Sequence, residues 1–403
     1  MIQQKFAAAF TILALSFGLA TLWLPDAWPF VILQLFLCLA LLAQLFPRES
    51  LNLRISFHPL LLLPAFVSAL AAFQFSTGHT ANLWESRRSA IEWSTFTVAA
   101  FLAYNLCRDG KTRSKAVEYF ALGSAAFCLL SVLQNYSDPG RVWWLFDSGF
   151  EGQVFGPFTY HAKFANFAQL GLAAAVWTAA KRPDRLWLHL AAAAVLIASV
   201  VASASRGGVF VISLEALVLL ICYLRSTQAR DAGSGNYRRS RLRLAVFALP
   251  ALGLAIALLG PESFLSRLAS TDFSLDARWA INQAGIDMAK IYFWSGSGLG
   301  TWSTVYPEFA RFDLGLRVNQ AHNDWLQWLI EGGFPLLLLT FCIWFCAIRA
   351  ARLEWWSLGF VFVWFHGLFD YPMQQTPAFA ALQFAFWGAA LATLRPLAKR
   401  ETM

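Results

Sequence analysis

Long apolar stretches recur from one end of the chain to the other, and they limit the possible folds more than any other feature. Each stretch has about 17 to 25 residues, and short polar connections separate most of them. A helix of about 20 apolar residues crosses the hydrocarbon core of a bilayer and satisfies its own backbone hydrogen bonds there. Of the 403 residues, 58% are hydrophobic and 13% charged, against about 25% charged in an average globular domain. A soluble core of this size could not bury so much apolar surface.

The pattern predicts an all-α polytopic membrane protein with about twelve transmembrane helices. We expect residues 1–403 to form a single integral membrane domain. The predicted spans are 6–24, 28–46, 57–75, 89–107, 116–134, 161–180, 187–203, 207–224, 244–260, 326–348, 355–370 and 376–394. One long polar segment, residues 261–325, separates the ninth span from the tenth, and we expect a loop there that contains short helices.

Basic residues predict the direction in which the spans run. About two thirds of the 31 Lys and Arg residues fall in connections on the side of the N-terminus, including the arginine-rich segment 225–243. Because basic residues tend to stay in the cytoplasm, both termini are predicted to be cytoplasmic. The same bias accounts for most of the net charge of +8 without a nucleic-acid partner.

The six cysteines all lie in or at the ends of predicted spans. They show no paired spacing in an outer loop. We therefore expect neither disulfides nor a metal site.

Basic residues on the outer side run against this bias, so each needs another reason to be there. Arg206 lies in the turn Ser-Ala-Ser-Arg-Gly-Gly between two closely spaced spans, and Lys163 begins the sixth span. Arg278 opens a predicted loop helix that ends near Phe293. Cations at one membrane depth suit a lipid diphosphate, because the planar paired donors of arginine match phosphate oxygens. Alternatively, Arg206 snorkels from a helix end and Lys163 is an isolated surface charge.

His322 begins the segment HNDWLQWLIEGGFPLLLL, which leads into the tenth span. If residues 323–331 are helical, Asp324, Gln327 and Glu331 share one face, and the helix is predicted to lie in the membrane interface. His322 would then stand at its N-terminal end, at the aqueous boundary. Because histidine accepts a proton near neutral pH, His322 is a candidate general base. The alternative is a hydrogen-bonded helix cap.

Glu215 is an ionisable residue inside the eighth span, and such residues are functional candidates by default. It lies roughly 13 Å from Arg206 along the helix, which is too far for both to share one site directly. It is either a proton-relay residue or a protonated contact between helices.

The segment Ser-Gly-Ser-Gly-Leu-Gly at residues 295–300 superficially resembles a dinucleotide-binding loop. No strand precedes it, and Thr301-Trp302 follow it. We therefore predict a flexible turn after the loop helix and no nucleotide site.

Four motifs occur in order: GPFTYHAKFANFAQ, SASRGG, DARWAINQAGIDMAKIYFWSGSGLGTW and AHNDWLQWLIEGGFPL. Together they resemble the O-antigen ligase and polymerase superfamily of bacterial envelope enzymes, over roughly residues 155–350. The resemblance implies a multi-pass enzyme of the bacterial inner membrane with its active site facing the periplasm. Such enzymes pass a glycan from undecaprenyl diphosphate to an acceptor hydroxyl without a metal, a nucleotide or another cofactor.

The resemblance also implies roles for individual residues. His322 would deprotonate or orient the acceptor hydroxyl, while Arg206 and Arg278 neutralise the departing lipid diphosphate in an inverting transfer. The predicted substrate-binding residues are Lys163, Asn323, Arg311 and His161.

One departure concerns Tyr160-His161-Ala162-Lys163, where many members of the family have a pair of asparagines after Gly-x-Phe. The role of this segment is open, and His161 competes with His322 as the base. The motif and the position in the loop favour His322.

Several functions stay open on the sequence. The first hypothesis is a ligase that transfers a polysaccharide to an acceptor such as lipid A-core. A polymerase of lipid-linked repeat units is the nearest alternative, and a protein O-glycosylating enzyme is a third. A secondary transporter would also fit twelve spans, with Glu215 as a proton carrier. However, no convincing repeat relates the two halves, and the large loop is not at the midpoint.

Overall fold

The computed structural model describes residues 2–45, 55–149, 154–231, 273–311, 317–374 and 376–394, and these are mostly helical. The helices are α1 (Ile2–Ala20), α2 (Trp28–Leu45), α3 (Leu62–Ser76), α4 (Leu83–Leu106), α5 (Gly110–Ser137), α6 (His161–Lys181), α7 (Leu186–Ala202), α8 (Arg206–Asp231), α9 (Phe273–Tyr292), α10 (Trp302–Val305), α11 (Asp324–Ala351), α12 (Leu358–His366) and α13 (Pro377–Leu391). Short 3₁₀ turns lie at Pro59–Leu61, Pro183–Arg185, Tyr306–Glu308 and Trp355–Ser357. The strands Arg141–Val142 (β1) and Phe146–Asp147 (β2) pair in an antiparallel hairpin.

Several helical segments of the described chain are long and apolar enough to cross a membrane. They are Trp28–Leu45, Pro59–Ser76, Gly110–Ser137, Pro183–Ala202, Arg206–Ser226 and Asp324–Ala351. Each coincides with a predicted span, which supports the predicted all-α polytopic membrane fold. Helices also form at the predicted spans 6–24, 89–107, 161–180 and 376–394. The ninth predicted span, 244–260, lies outside the described residues.

The eleventh predicted span, 355–370, differs most from the structure. It consists of a 3₁₀ turn followed by α12, which has only nine residues. Nine residues rise about 14 Å, which is less than half the thickness of the hydrocarbon core. After His366 the chain continues in turns, and Asp370 and Tyr371 lie in this irregular segment.

The helix α6 is enclosed by the bundle, where it contacts α5, α7, α8 and α12. Every residue from Ala162 to Ala179 is buried, including Asn166 and Gln169. Because other helices surround it, α6 can carry polar side chains without exposing them to lipid. The end of the bundle at which α6, α8 and α11 begin is called the outer end below.

The predicted polar face of the first part of α11 is buried in protein. Asp324, Gln327 and Glu331 do share one face, but each is at most 3% exposed. The helix bends at Gly333, whose φ is 65°. An added Cβ there would lie 2.5 Å from the carbonyl oxygen of Trp294, so this position requires glycine.

The loop helix α9 ends at Tyr292, close to its predicted end, and packs on this first part of α11. A small apolar core of Ile281, Met288, Trp302 and Ile330 joins the two. This core attaches the outer loop to the membrane bundle.

Buried hydrogen-bond acceptors hold the Gly-rich turn at residues 295–300 in place. The backbone N–H groups of Gly300 and Trp302 donate to the Glu331 carboxylate, over 2.9 and 3.1 Å. The N–H of Leu299 donates to the side-chain oxygen of Gln74 over 3.0 Å. Because protein acceptors occupy these N–H groups, the turn does not form a phosphate cradle.

Candidate active site

His322 lies at the outer end, just before α11. Its φ is 54°, in the left-handed region that a non-glycine residue seldom adopts and that is often found at functional sites. Asn323 follows as the N-cap, and its side-chain oxygen accepts from the N–H of Leu326 over 3.0 Å. The cap fixes the start of α11 and so holds the preceding imidazole against the Tyr371 ring, with the centroids 4.7 Å apart at 88°. His322 Nδ1 is buried and has no hydrogen-bond partner within the described chain.

Two of the predicted cations meet around the same tyrosines. The guanidinium of Arg278, on α9, donates to the Tyr160 hydroxyl over 2.8 Å. Lys163 Nζ donates to the carbonyl of Gln374 over 3.0 Å and lies 4.5 Å from the centroid of the Tyr371 ring. The rings of Tyr160 and Tyr371 stack with their centroids 6.0 Å apart. The structure therefore brings His322, Arg278 and Lys163 together from three distant parts of the sequence.

The electrostatics of this cluster hold His322 neutral. Burial, together with the positive charges of Arg278 and Lys163, lowers the pKa of His322 to about 4. Burial, with the nearby Asp370 carboxylate, raises the pKa of Tyr160 to about 12, against the opposing effect of Arg278. Burial also raises the pKa of Tyr371. At neutral pH the imidazole can therefore accept a proton, and both phenols keep theirs.

Asp370 is an acidic member of the cluster that the sequence interpretation missed. It is 2% exposed, and its electrostatic neighbours are Arg278, Lys163 and the backbone N–H of Tyr371. Its position near the end of a predicted span was an available signal, because ionisable residues at membrane depth are functional candidates.

Asp324 was predicted to lie on a polar helix face, but it is 1% exposed and lies next to the same segment. Its carboxylate accepts from the N–H of Met373 over 3.0 Å, and its own N–H donates to the carbonyl of Gly367 over 2.8 Å. Asp324 therefore fixes the irregular segment that carries Asp370 and Tyr371.

Arg206 is the first residue of α8, and its backbone lies next to this cluster. The adjacent Gly207 faces His366, whose Nδ1 is 3.1 Å from the side-chain oxygen of Gln169. The amide of Gln169 in turn donates to the carbonyl of Gly208 over 3.1 Å. The N–H of Asp370 donates to the carbonyl of His366 over 3.1 Å. One chain of buried hydrogen bonds thus ties the start of α8 to α6 and to the end of α12.

The other predicted site residues lie at the edge of the cluster or outside it. His161 begins α6, and its ring stacks on Tyr160 with the centroids 5.0 Å apart. Arg311 is about half exposed and binds Asp287 and Gln283 of α9. Asp287 lies roughly 13 Å along α9 from Arg278, so Arg311 is not part of the cluster.

Glu215 is fully buried in α8, nine residues after Arg206. Neither of its carboxyl oxygens has a hydrogen-bond partner among the described residues. It lies deeper in the bundle than the cluster, as the helix spacing predicted.

Taken together, the fold and the site define an all-α membrane protein that holds a neutral histidine beside the buried Lys163 and the partly buried Arg278 at one end of its bundle. The family model described as O-antigen ligase matches residues 190–341, a range that includes Arg206, Arg278 and His322. This match confirms the resemblance to the O-antigen ligase and polymerase superfamily and supports a membrane enzyme of that type. The comparison with curated proteins finds no match.

Proposed function

We propose that this chain transfers a glycan from undecaprenyl diphosphate to an acceptor hydroxyl on the periplasmic side of the bacterial inner membrane. The first candidate acceptor is lipid A-core, which would make the enzyme a ligase. The observation that carries the proposal is the convergence of His322, Arg278 and Lys163 on Tyr160 and Tyr371. A neutral base beside one buried and one partly buried cation suits an anionic leaving group next to a hydroxyl nucleophile.

The transfer itself is a single displacement. The acceptor hydroxyl gives its proton to His322 while its oxygen forms a bond to the anomeric carbon. The bond between that carbon and the diphosphate oxygen breaks, and the lipid diphosphate leaves with the electron pair. Attack from the face opposite the leaving group inverts the anomeric configuration. Arg278, Lys163 and Arg206 offset the negative charge that develops on the diphosphate.

Donor binding strengthens the base. The pKa of His322 is held near 4 by burial and by Arg278 and Lys163. A diphosphate that pairs with these cations cancels their effect on the imidazole, so its pKa rises, while burial still holds it below its ordinary value. The imidazole is thus a stronger base when the leaving group is in place.

Asp370 supplies the negative charge near the two cations while no donor is bound. Tyr160 aligns the guanidinium of Arg278 through its hydroxyl. His161 lies at the rim of this cluster, where it would contact the sugar next to the diphosphate. In this proposal the chain crosses the membrane twelve times, with the short helix α12 and the irregular segment after it together making the eleventh crossing, and both termini are cytoplasmic.

The test uses purified full-length protein in proteoliposomes. The donors are the same glycan on undecaprenyl diphosphate and on undecaprenyl monophosphate, and lipid A-core is the acceptor. We expect inverted product from the diphosphate donor only. Equal transfer from both donors, or transfer from neither to any acceptor, would contradict the proposal.

The polymerase alternative uses the same donor chemistry and differs only in the acceptor. The same assay with a lipid-linked repeat unit as the acceptor therefore separates the two enzymes. Product on the repeat unit but not on lipid A-core would identify a polymerase.

A pair of arginine variants tests the site. Arg278→Gln should lose about 100-fold or more in kcat/KM, because a cation at the leaving group is removed. Arg141→Gln is the matched control, since Arg141 is an exposed arginine of the hairpin whose ion-pair partner is Asp138. Similar losses in both variants would contradict the assignment of Arg278.

A further inference from the structure

A cavity of about 330 Å³ lies at the end of the bundle opposite the candidate active site. Its lining includes Trp177 and Lys181 of α6, Ser226 of α8, and Leu353, Glu354 and Trp355 after α11. The 21 residues of α6 from His161 to Lys181 rise about 30 Å, which matches the thickness of a hydrocarbon core. The cavity therefore lies at the opposite membrane surface and cannot be part of the candidate active site.

The cavity offers one positive and one negative group side by side. Lys181 Nζ is 4.0 Å from a carboxylate oxygen of Glu354, which is longer than a hydrogen bond. Trp177 Nε1 donates to that same oxygen over 2.9 Å and so holds the carboxylate in place. The Lys181 ammonium is 5.4 Å from the centroid of the Trp177 ring. Lys181 is about half exposed and Glu354 about a quarter exposed, so a ligand can still reach both charged groups.

We propose that this cavity binds the headgroup of an aminophospholipid. The phosphate would pair with Lys181, and the primary ammonium would donate to Glu354. Trp177 and Trp355 suit this depth, because tryptophan favours the interface between membrane and water. A lipid with a purely anionic headgroup would place its phosphate beside Lys181 and Glu354 without an ammonium of its own to pair with the carboxylate. The site is independent of the proposed function and links the inner ends of α6, α8 and α11.

The test measures the thermal unfolding of the purified full-length protein in detergent, titrated with short-chain lipids that differ only in the headgroup. Phosphatidylethanolamine should raise the Tm in a saturable way. Phosphatidylglycerol lacks the ammonium, and phosphatidylcholine cannot donate a hydrogen bond to Glu354. Both should bind at least about tenfold more weakly, which is the loss expected for one charged hydrogen bond.

Two variants locate the site. Glu354→Gln should abolish the preference for phosphatidylethanolamine over phosphatidylglycerol, and Lys181→Gln should weaken the binding of both lipids. Lys115→Gln is the control, because Lys115 is exposed near the same end of the neighbouring helix α5. Equal Tm shifts for all three lipids in the wild-type protein would overturn the proposal without any variant. So would a Glu354→Gln protein that keeps the wild-type preference.

Discussion

The variant Gly207→Ala tests whether activity depends on the position of the first turn of α8 relative to the rest of the site. A Cβ added to Gly207 would lie 2.9 Å from His366 Nε2 and 3.6 Å from Cδ2. The imidazole cannot move away freely, because its Nδ1 is 3.1 Å from the side-chain oxygen of Gln169. Gly207→Ala must therefore move either the His366 ring or the first turn of α8, which carries Arg206.

The size of the effect follows from these distances. Carbon contacts are most favourable at about 3.5 to 4.0 Å, so the clash requires a shift of about half an ångström or more. Overpacking of this kind costs about 1 to 3 kcal/mol of stability. A displacement of about 1 Å at a catalytic group can cost about 100-fold in rate. We expect Gly207→Ala to fold with a lower Tm and to lose about tenfold to 100-fold in kcat.

Glycan transfer and Tm should be measured together, with two controls. Gly123→Ala adds a Cβ that meets nothing within 4 Å. Gly171→Ala creates a clash with Ser124 Oγ at 2.4 Å, on the side of α6 that faces α5. It should lower the Tm but leave kcat nearly unchanged. If Gly207→Ala retains the kcat of Gly123→Ala, or loses no more kcat than Gly171→Ala, the coupling of His366 to Arg206 is refuted.

Three further predictions concern protonation, charge and the outer loop. Because the pKa of His322 lies near 4, below its ordinary value, the base form persists at pH 5, and kcat/KM should fall near pH 4; a fall centred near pH 6.5 would contradict this. Lys163→Met should raise the KM for the donor by about tenfold. It should also move the fall in kcat/KM at low pH to higher pH, because one charge that disfavours the imidazolium is lost. If the pH of this fall does not change, Lys163 does not lower the pKa of His322. Glu331→Gln replaces an acceptor of the Gly300 N–H and should destabilise the protein by about 1 to 3 kcal/mol, seen as a lower Tm; an unchanged Tm would show that the turn does not depend on this carboxylate.

The sequence was sufficient for much of the fold, because apolar length alone predicts a membrane helix. The prediction was wrong where apolar length does not decide where a helix ends. The segment 355–370 is apolar enough to suggest a span, yet α12 ends at His366 and the chain turns back toward the site. Composition does not reveal where an apolar helix stops when the signal is a tertiary contact such as the one between Asp324 and Met373.

The site was only partly predictable for a related reason. The sequence motifs pointed to His322, Arg278 and Lys163. The two cations also stood out because basic residues on the outer side run against the positive-inside bias. Asp370 was missed because it is far from these residues in the sequence and joins them only through the fold.

Several polar residues also form hydrogen bonds within the protein. Asn323 and Arg311 are predicted to bind substrate, and in the structure their side chains cap α11 and brace α9, respectively. Glu331 lies on the predicted polar face of α11, and its carboxylate anchors the Gly-rich turn. A pattern along one helix shows which residues share a face, but it does not show what covers that face.

The most direct test of the account is a single-turnover measurement of glycan transfer by His322→Gln at saturating donor, with donor binding measured separately. The account predicts that binding stays within about threefold of the wild type, while the transfer step slows by about 100-fold to 10,000-fold. His161→Gln, measured in parallel, should keep a transfer rate close to the wild type. An undiminished transfer step in His322→Gln would contradict the central claim, and a collapse confined to His161→Gln would move the base to His161.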